Sequence, residues 1–175
     1  MSRKNFVIIS AIVAALIMAG TAYYYYFQVL DLKAVTIRGN SLTPYLLNGN
    51  EVLADYSYQD NSRQLKRDSL IIYDFKPQNK QLIKFIKVIP GDIFQVDEQN
   101  RVLLINNKPM TNSQGLVYRL TRQNIKMLKL YEDYFNGVLS GNVYLAFGNW
   151  PGTLDSGKFG PIARKNIIGR VLFKL

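Results

Sequence analysis

The sequence of 175 residues contains no histidine and no cysteine. Without histidine a protein cannot use a Ser-His-Asp triad, and without cysteine it has neither a thiol nucleophile nor disulfides. The usual zinc sites need at least one of these two residue types. Enzymatic chemistry would therefore have to come from serine, threonine, lysine, tyrosine or carboxylates. Nucleotide-binding motifs are absent as well, so we expect no metal and no other cofactor.

Acidic residues are also scarce, with 12 of them against 22 basic residues and a net charge of +10. Residues 99–131 carry no acid and six cations, which are Arg101, Lys108, Arg119, Arg122, Lys126 and Lys129. A basic face suits anionic lipid headgroups or wall polymers, and a solvated surface insertion is the simpler interpretation. The aromatic-interleaved pattern of RNA-binding domains is not visible, so we expect no nucleic acid partner. At 48% hydrophobic residues the chain is not disordered, and its length fits one folded domain.

The N-terminal segment carries no charge from residue 6 to residue 22, and five aromatic residues follow directly at 23–27. As a helix, residues 6–27 would span roughly 33 Å, about the hydrocarbon thickness of a bilayer, with the aromatics at an interface. We predict a membrane anchor at 6–28 and the lipid bilayer as a partner. Arg3 and Lys4 favour a cytoplasmic tail at 1–5, which places 29–175 outside the cytoplasmic membrane as an extracytoplasmic domain.

Two other interpretations of this segment are open. Gly20 and Ala22 could be the small residues before the cut of a cleavable signal peptide, although the apolar stretch continues through five aromatics where such a peptide would turn polar. A buried core helix is the other alternative, but a helix that is apolar all round, at the end of a small domain, has little around it to cover it.

The remainder of the chain consists of short apolar runs separated by turn residues, which predicts a mainly β domain. Helical spacing of apolar residues occurs only at about 121–135. The predicted strands cover residues 34–37, 52–54, 70–75, 82–89, 93–96, 102–105, 143–147 and 167–173.

A serine activated by a neutral lysine is the compact nucleophilic arrangement that remains. Ser41 follows a predicted strand in a Gly/Asn turn that can expose its hydroxyl, although a turn-capping role alone would also explain it. Lys84 and Lys87 lie in an otherwise apolar strand, on opposite faces. Burial lowers the pKa of a lysine and makes it a usable base, but periodicity does not choose between the two, and either could simply extend its amine to solvent.

Several short motifs occur in a fixed order along the chain. They are Gly39-Asn40-Ser41-Leu42-Thr43-Pro44, Lys84 six residues before Pro90-Gly91-Asp92, Gly148-Asn149, and Asp155-Ser156 ahead of Phe159-Gly160-Pro161. The ordered set resembles the bacterial type I signal peptidases, whose boxes read roughly S-M-x-P-T-L, K-R-x-x-G-x-P-G-D and G-D-N…S-x-D-S-R-x-x-G. The similarity extends from the anchor to residues 168–171.

The resemblance implies an antiparallel β-sheet catalytic domain of the signal-peptidase type. It implies that Ser41 is the nucleophile, that Lys84 rather than Lys87 is the general base, and that the Thr153 hydroxyl orients this base. The oxyanion hole would use the Ser41 N–H, while Gly39 stands where some members have a second, serine donor. Four further positions match pockets for the small side chains before the cut: Ile37, Leu46, Leu82 and Ile83.

Three positions depart from the family pattern. Phe85 replaces the arginine after the base, Asn149 replaces the aspartate of G-D-N, and Gly157 replaces the arginine of D-S-R. In the family these charged residues form an ion-pair cluster behind the base. Because both signs are lost together, fewer charges are left unpaired than after a single loss.

We therefore predict a membrane-bound serine endopeptidase that removes signal peptides from exported precursor proteins. One alternative is a signal-peptidase-like assembly factor that binds precursors such as pilins without cutting them. A membrane-tethered β module that binds anionic lipid or wall polymer is the other.

Overall fold

An N-terminal helix and two antiparallel sheets make up the structure, a computed structural model that describes residues 3–29, 31–59 and 65–175. Helix α1 covers Arg3–Val29. Its segment Val7–Tyr24 has a mean hydropathy of 2.0 and is 0% buried, so this helix is long and apolar enough to cross a membrane. The alternative of a buried core helix is wrong, because no part of the domain covers this segment.

In the described part of the chain ten strands follow α1, and two further α-helices interrupt them. The strands are β1 Leu32–Thr36, β2 Glu51–Asp55, β3 Leu70–Phe75, β4 Lys80–Val88, β5 Phe94–Asp97, β6 Val102–Ile105, β7 Lys108–Pro109, β8 Val143–Phe147, β9 Ile162–Ala163 and β10 Ile167–Lys174. Helix α2 covers Arg122–Tyr134 and helix α3 covers Ser156–Phe159.

The strands form a seven-stranded sheet in the order β1-β2-β10-β3-β4-β8-β9 and a three-stranded sheet in the order β5-β6-β7. Every pairing is antiparallel. The predicted mainly β architecture is confirmed, and each predicted strand is present with ends that differ by at most two residues. Sequence reasoning missed the two-residue strands β7 and β9 and the one-turn helix α3, because such short elements have too few residues to show a period.

Alternation along β4 divides its apolar side chains between two buried clusters. Leu82 and Ile86 pack in one cluster with the buried Tyr73 and Tyr144, whereas Ile83 and Phe85 pack in another with Ile37 and Leu42. A third cluster joins the small sheet to α2 and β8. The even- and odd-numbered residues of β4 thus face different surroundings, as the period of two requires.

The strand edges without a neighbour include those of β1 and of the first half of β4. Strand β1 is the terminal strand of the large sheet and pairs with β2 alone. Residues 80–84 of β4 pair with β3 on one side, while pairing with β8 on the other side begins only at Phe85. Both edges therefore present unpaired backbone donors and acceptors in the described part of the chain.

Candidate active site

The loop between β1 and β2 carries Ser41 and is held at its base by backbone and asparagine contacts. The Ile37 N–H donates to the Asn50 carbonyl at 2.8 Å, and the Gly49 N–H donates to the Ile37 carbonyl at 2.9 Å. The Asn48 side chain accepts a hydrogen bond from the Gly39 N–H at 2.9 Å. These hydrogen bonds join the two ends of the loop and stabilise the turn from which Ser41 projects.

Ser41 and Lys84 meet across the end of this loop. Lys84 Nζ lies 2.6 Å from Ser41 Oγ, and the lysine is only 2% exposed. Ser41 itself is half-buried and stands at the mouth of the groove described below. A serine hydroxyl in contact with a buried amine is the arrangement that a Ser/Lys nucleophile requires.

The surroundings of Lys84 favour its neutral form. Burial lowers the pKa of Lys84 from its ordinary value of 10.5 to about 8, and the charge of Asp155 opposes this effect only in part. Lys84 forms no ion pair with any carboxylate of the described residues. A fraction of the amine is therefore unprotonated near neutral pH and can accept the serine proton.

Asp155 is fully buried behind the Ser41–Lys84 pair and is held by neutral donors. Its carboxylate accepts hydrogen bonds from the Gly148 N–H at 3.1 Å, from the Gly157 N–H at 2.9 Å and from the Thr153 hydroxyl. Burial raises the pKa of Asp155, whereas these donors and the charge of Lys84 act in the opposite direction. Thr153 thus contacts Asp155, and no hydrogen bond joins its hydroxyl to Lys84 among the described residues.

Gly148 allows Thr153 and the Ser41 loop to approach the end of β8. A Cβ at position 148 would overlap the Thr153 hydroxyl and would lie 2.8 Å from the Ser41 carbonyl oxygen. Directly after it, the Asn149 N–H donates to that same carbonyl at 2.7 Å. The glycine therefore lets backbone and hydroxyl groups pack where any side chain would separate them.

At the positions that depart from the family pattern, different contacts replace those of the charged residues. The Asn149 amide donates to the Thr43 carbonyl at 2.9 Å and accepts from the Ser113 N–H at 2.8 Å, which a carboxylate could not do on both sides. Phe85 is 5% exposed and packs edge-on against Tyr45.

Position 157 has no room for an arginine, because a Cβ there would overlap the Asn124 amide. Asn124 is 1% exposed, and its Nδ2 atom has no hydrogen-bond partner among the residues that the structure describes. Its Oδ1 accepts from the Thr121 N–H and completes the capping box that begins α2. Sequence reasoning missed Asn124, although the Thr-x-x-Asn spacing before an amphipathic helix was a visible signal of the cap.

A groove of about 870 Å³ leads from Ser41 and Lys84 along the unpaired edges of β1 and β4. Three of the four predicted pocket residues line it: Ile37, Leu82 and Ile83. Leu46 does not, because its side chain is buried in the cluster that contains Ile37 and borders a separate pocket of about 480 Å³. The Leu46 side chain thus packs in the core behind the groove wall and does not face the groove.

Comparison with protein families shows that residues 5–175 match the family described as signal peptidase, peptidase S26. The chain belongs to this signal peptidase family. Comparison with curated proteins gives no match. Among solved structures, a signal peptidase I from Enterococcus faecalis V583 matches with 16% identity and a TM-score of 0.41, over 63% of this chain and 97% of that one.

Membership of the signal peptidase family makes the protein a peptidase that processes signal peptides. Signal-peptide-bearing precursors are accordingly its substrates. The exposed apolar helix α1 fits the membrane anchor of such a peptidase. No group of histidine, cysteine, aspartate or glutamate side chains suited to a metal ion occurs among the described residues of the peptidase.

Proposed function

We propose that this signal peptidase cuts its precursors with a Ser41–Lys84 dyad. The observation that carries the proposal is the distance of 2.6 Å between Lys84 Nζ and Ser41 Oγ. The lysine is almost completely buried, so its amine has little contact with water. The neutral amine takes the proton of the Ser41 hydroxyl as Oγ attacks the scissile carbonyl carbon. The resulting ammonium then returns this proton to the leaving amine, which departs from an acyl-enzyme.

The second half of the reaction uses the same lysine. Lys84 takes a proton from a water molecule as the water oxygen attacks the ester carbonyl of the acyl-enzyme, and the ammonium returns this proton to Ser41 Oγ as the ester C–O bond breaks. The Ser41 N–H donates to no acceptor among the described residues and is available to the oxyanion. The Gly39 N–H is bound to Asn48, so it does not serve as the second donor.

The substrate binds as an extended strand between the two unpaired edges. A peptide in the groove can pair its backbone with residues 80–84 of β4, and β1 borders the other side of the same groove. Such an arrangement leaves alternate side chains of the peptide to be read by the groove walls. The half-buried Leu82 and Ile83 offer shallow apolar surface that suits the small residues before the cut.

The membrane topology that we propose has α1 crossing the cytoplasmic membrane, with residues 1–5 in the cytoplasm and the domain at 29–175 outside. The basic residues at the N-terminus support this direction. Protease added to intact protoplasts should digest the β domain. A domain that survives until the membrane is broken would show that the orientation is the opposite.

The decisive experiment is cleavage of a precursor by the purified full-length protein in detergent, alongside Ser41→Ala and Lys84→Ala. Both variants should lose turnover. Ser69→Ala is a matched control, since this serine follows a turn outside the groove. A parent protein that binds the precursor without cutting it would favour the non-cleaving assembly factor instead.

A further inference from the structure

The groove that leads to Ser41 is lined by two exposed cations. These are Arg38 and Lys80, and both are distinct from the buried Lys84. The described residues that line the groove include no aspartate and no glutamate. A peptide lying in this groove therefore meets charge of one sign on both walls.

The two exposed cations also have no counter-ion among the described residues. Neighbouring lysines are neutralised locally, because Lys33 pairs with Asp31 at 2.9 Å and Lys76 pairs with Asp74. Neither Arg38 nor Lys80 forms an ion pair or a side-chain hydrogen bond with any described residue. Arg38 and Lys80 thus keep their positive charges unpaired at the groove, where these charges can act on a ligand.

Strand geometry places Lys80 at a defined distance from the cut. Lys80, Leu82 and Lys84 lie two residues apart on β4, so their side chains project from the same face. Four residues of strand between Lys80 and Lys84 correspond to about 13 Å. An extended peptide covers the same length with four of its own residues, so Lys80 stands beside the fourth or fifth residue from the scissile bond.

We infer that this groove selects precursors that carry an aspartate or glutamate at the fourth or fifth residue before the cut, and that it disfavours lysine or arginine there. The inference rests on the proposed function for the position of the cut, whereas the charge preference of the groove itself does not depend on cleavage. Lys80 is the residue that determines the preference at this distance, and Arg38 adds to the field from the β1 side.

The test uses three peptides that differ only at the fourth residue before the cut, with Asp, Asn or Lys at that position. Binding is measured by fluorescence anisotropy on the full-length Ser41→Ala protein, and kcat/KM is measured on the parent. The Asp peptide should bind about tenfold more tightly than the Lys peptide at low salt, since Lys80 attracts the carboxylate of the one and repels the ammonium of the other. The ratio should shrink as ionic strength rises.

Charge reversal identifies the responsible residue. Lys80→Glu should invert the order of the Asp and Lys peptides, Lys80→Gln should bring the two close together, and Lys126→Glu, an equal charge change on the exposed face of α2, should leave the ratio unchanged. Equal binding of the Asp and Lys peptides by the Ser41→Ala protein would overturn the inference. Peptides that bind with the expected ratio but are not cut by the parent would instead overturn the proposed function and keep the inference.

Discussion

Lys84 and Lys87 are three residues apart on β4 and are both buried, at 2% and 6% exposure, but they have different partners. Lys87 Nζ lies 2.6 Å from Asp68 Oδ1, and its ammonium also stands 5.5 Å from the centre of the Phe85 ring. Lys84 instead contacts the Ser41 hydroxyl. The two lysines therefore differ in what touches the amine, which is a carboxylate at Lys87 and a hydroxyl at Lys84.

The position of the acid is the physical difference between the two sites. At Lys87 the acid touches the amine and is 62% exposed, so the pair is solvated from one side. At Lys84 no carboxylate of the described residues forms an ion pair with the amine, and the acid whose charge acts on it, Asp155, is buried and accepts hydrogen bonds from neutral donors. A buried lysine without a carboxylate at contact distance loses its proton more readily.

The largest expected effect comes from replacing each lysine by arginine. Lys84→Arg should lower kcat by about a hundredfold or more, because a guanidinium cannot act as a base in this pH range and general-base catalysis contributes ~10²–10⁴. Lys87→Arg should keep most activity, because Arg retains the charge that pairs with Asp68. Single-turnover cleavage measures both, and an active Lys84→Arg protein would rule out the general-base role.

The next effect concerns pH. The neutral fraction of Lys84 falls tenfold for each pH unit below its pKa of about 8, so kcat/KM should rise with pH and level off above that value. Asp68→Asn removes the partner of Lys87 and should leave this profile in place. A profile that falls with pH from 6 to 8 would contradict a neutral Lys84 in the mechanism.

A smaller effect, on stability rather than on activity, is expected for a substitution at position 157 behind Lys84. Gly157→Arg, which restores the residue of the family pattern, should lower the free energy of unfolding by about 1–3 kcal/mol, because its side chain must displace the buried Asn124 amide. Thermal unfolding of the full chain in detergent measures the loss. Combining it with Asn124→Ala should cost less than the sum of the two single changes, and strict additivity would show that the two residues do not compete for space.

Thr153→Ala should have a milder effect, with kcat reduced several-fold and KM nearly unchanged. The hydroxyl donates to Asp155 and not to substrate, so its loss misplaces the acid behind Lys84 while the groove still binds the precursor. Thr153→Ser keeps the hydroxyl and should restore most of the rate. If KM rose while kcat stayed constant, Thr153 would belong to the binding surface rather than to the support of the base.

The smallest effect is expected for Asp68→Asn on stability. The Lys87–Asp68 pair has one exposed partner, so its loss should lower the free energy of unfolding by only about 1 kcal/mol. Urea denaturation of the purified protein gives this value. A loss of several kcal/mol would mean that the pair behaves like a fully buried one, and the comparison of the two lysines would need a different explanation.

The strands were predictable because their residues alternate or form apolar runs bounded by glycine, proline and asparagine, and the long apolar helix was predictable from length alone. The pairing of Ser41 with Lys84 is a contact between residues 43 positions apart, which periodicity does not encode. Residue spacing could not choose between Lys84 and Lys87, and only the resemblance of the motifs indicated Lys84. Their catalytic roles, and that of Thr153, stay predictions.

The contacts around Asp155 could not be derived from the sequence. The departures at Asn149 and Gly157 were visible, but their replacements depend on which residues the fold brings near them. The Asn149 amide fits its position because it faces one donor and one acceptor. Position 157 requires glycine because Asn124, on a helix far away in sequence, occupies the space that a side chain would need. Leu46 shows the same limit, since an apolar residue beside the nucleophile could line the groove or support it from the core.

The short connection between α1 and β1 limits how far Ser41 can lie from the end of the helix. Helix α1 ends at Val29, β1 begins at Leu32, and Ser41 follows Val29 by twelve residues. Even a fully extended chain of this length reaches only about 40 Å, so in the proposed topology the nucleophile works within a thin layer at the outer surface of the bilayer. A precursor held in the same membrane by its own apolar segment meets the enzyme by diffusion in two dimensions, at a raised effective concentration. Peptide bonds deeper in an exported domain lie beyond its reach.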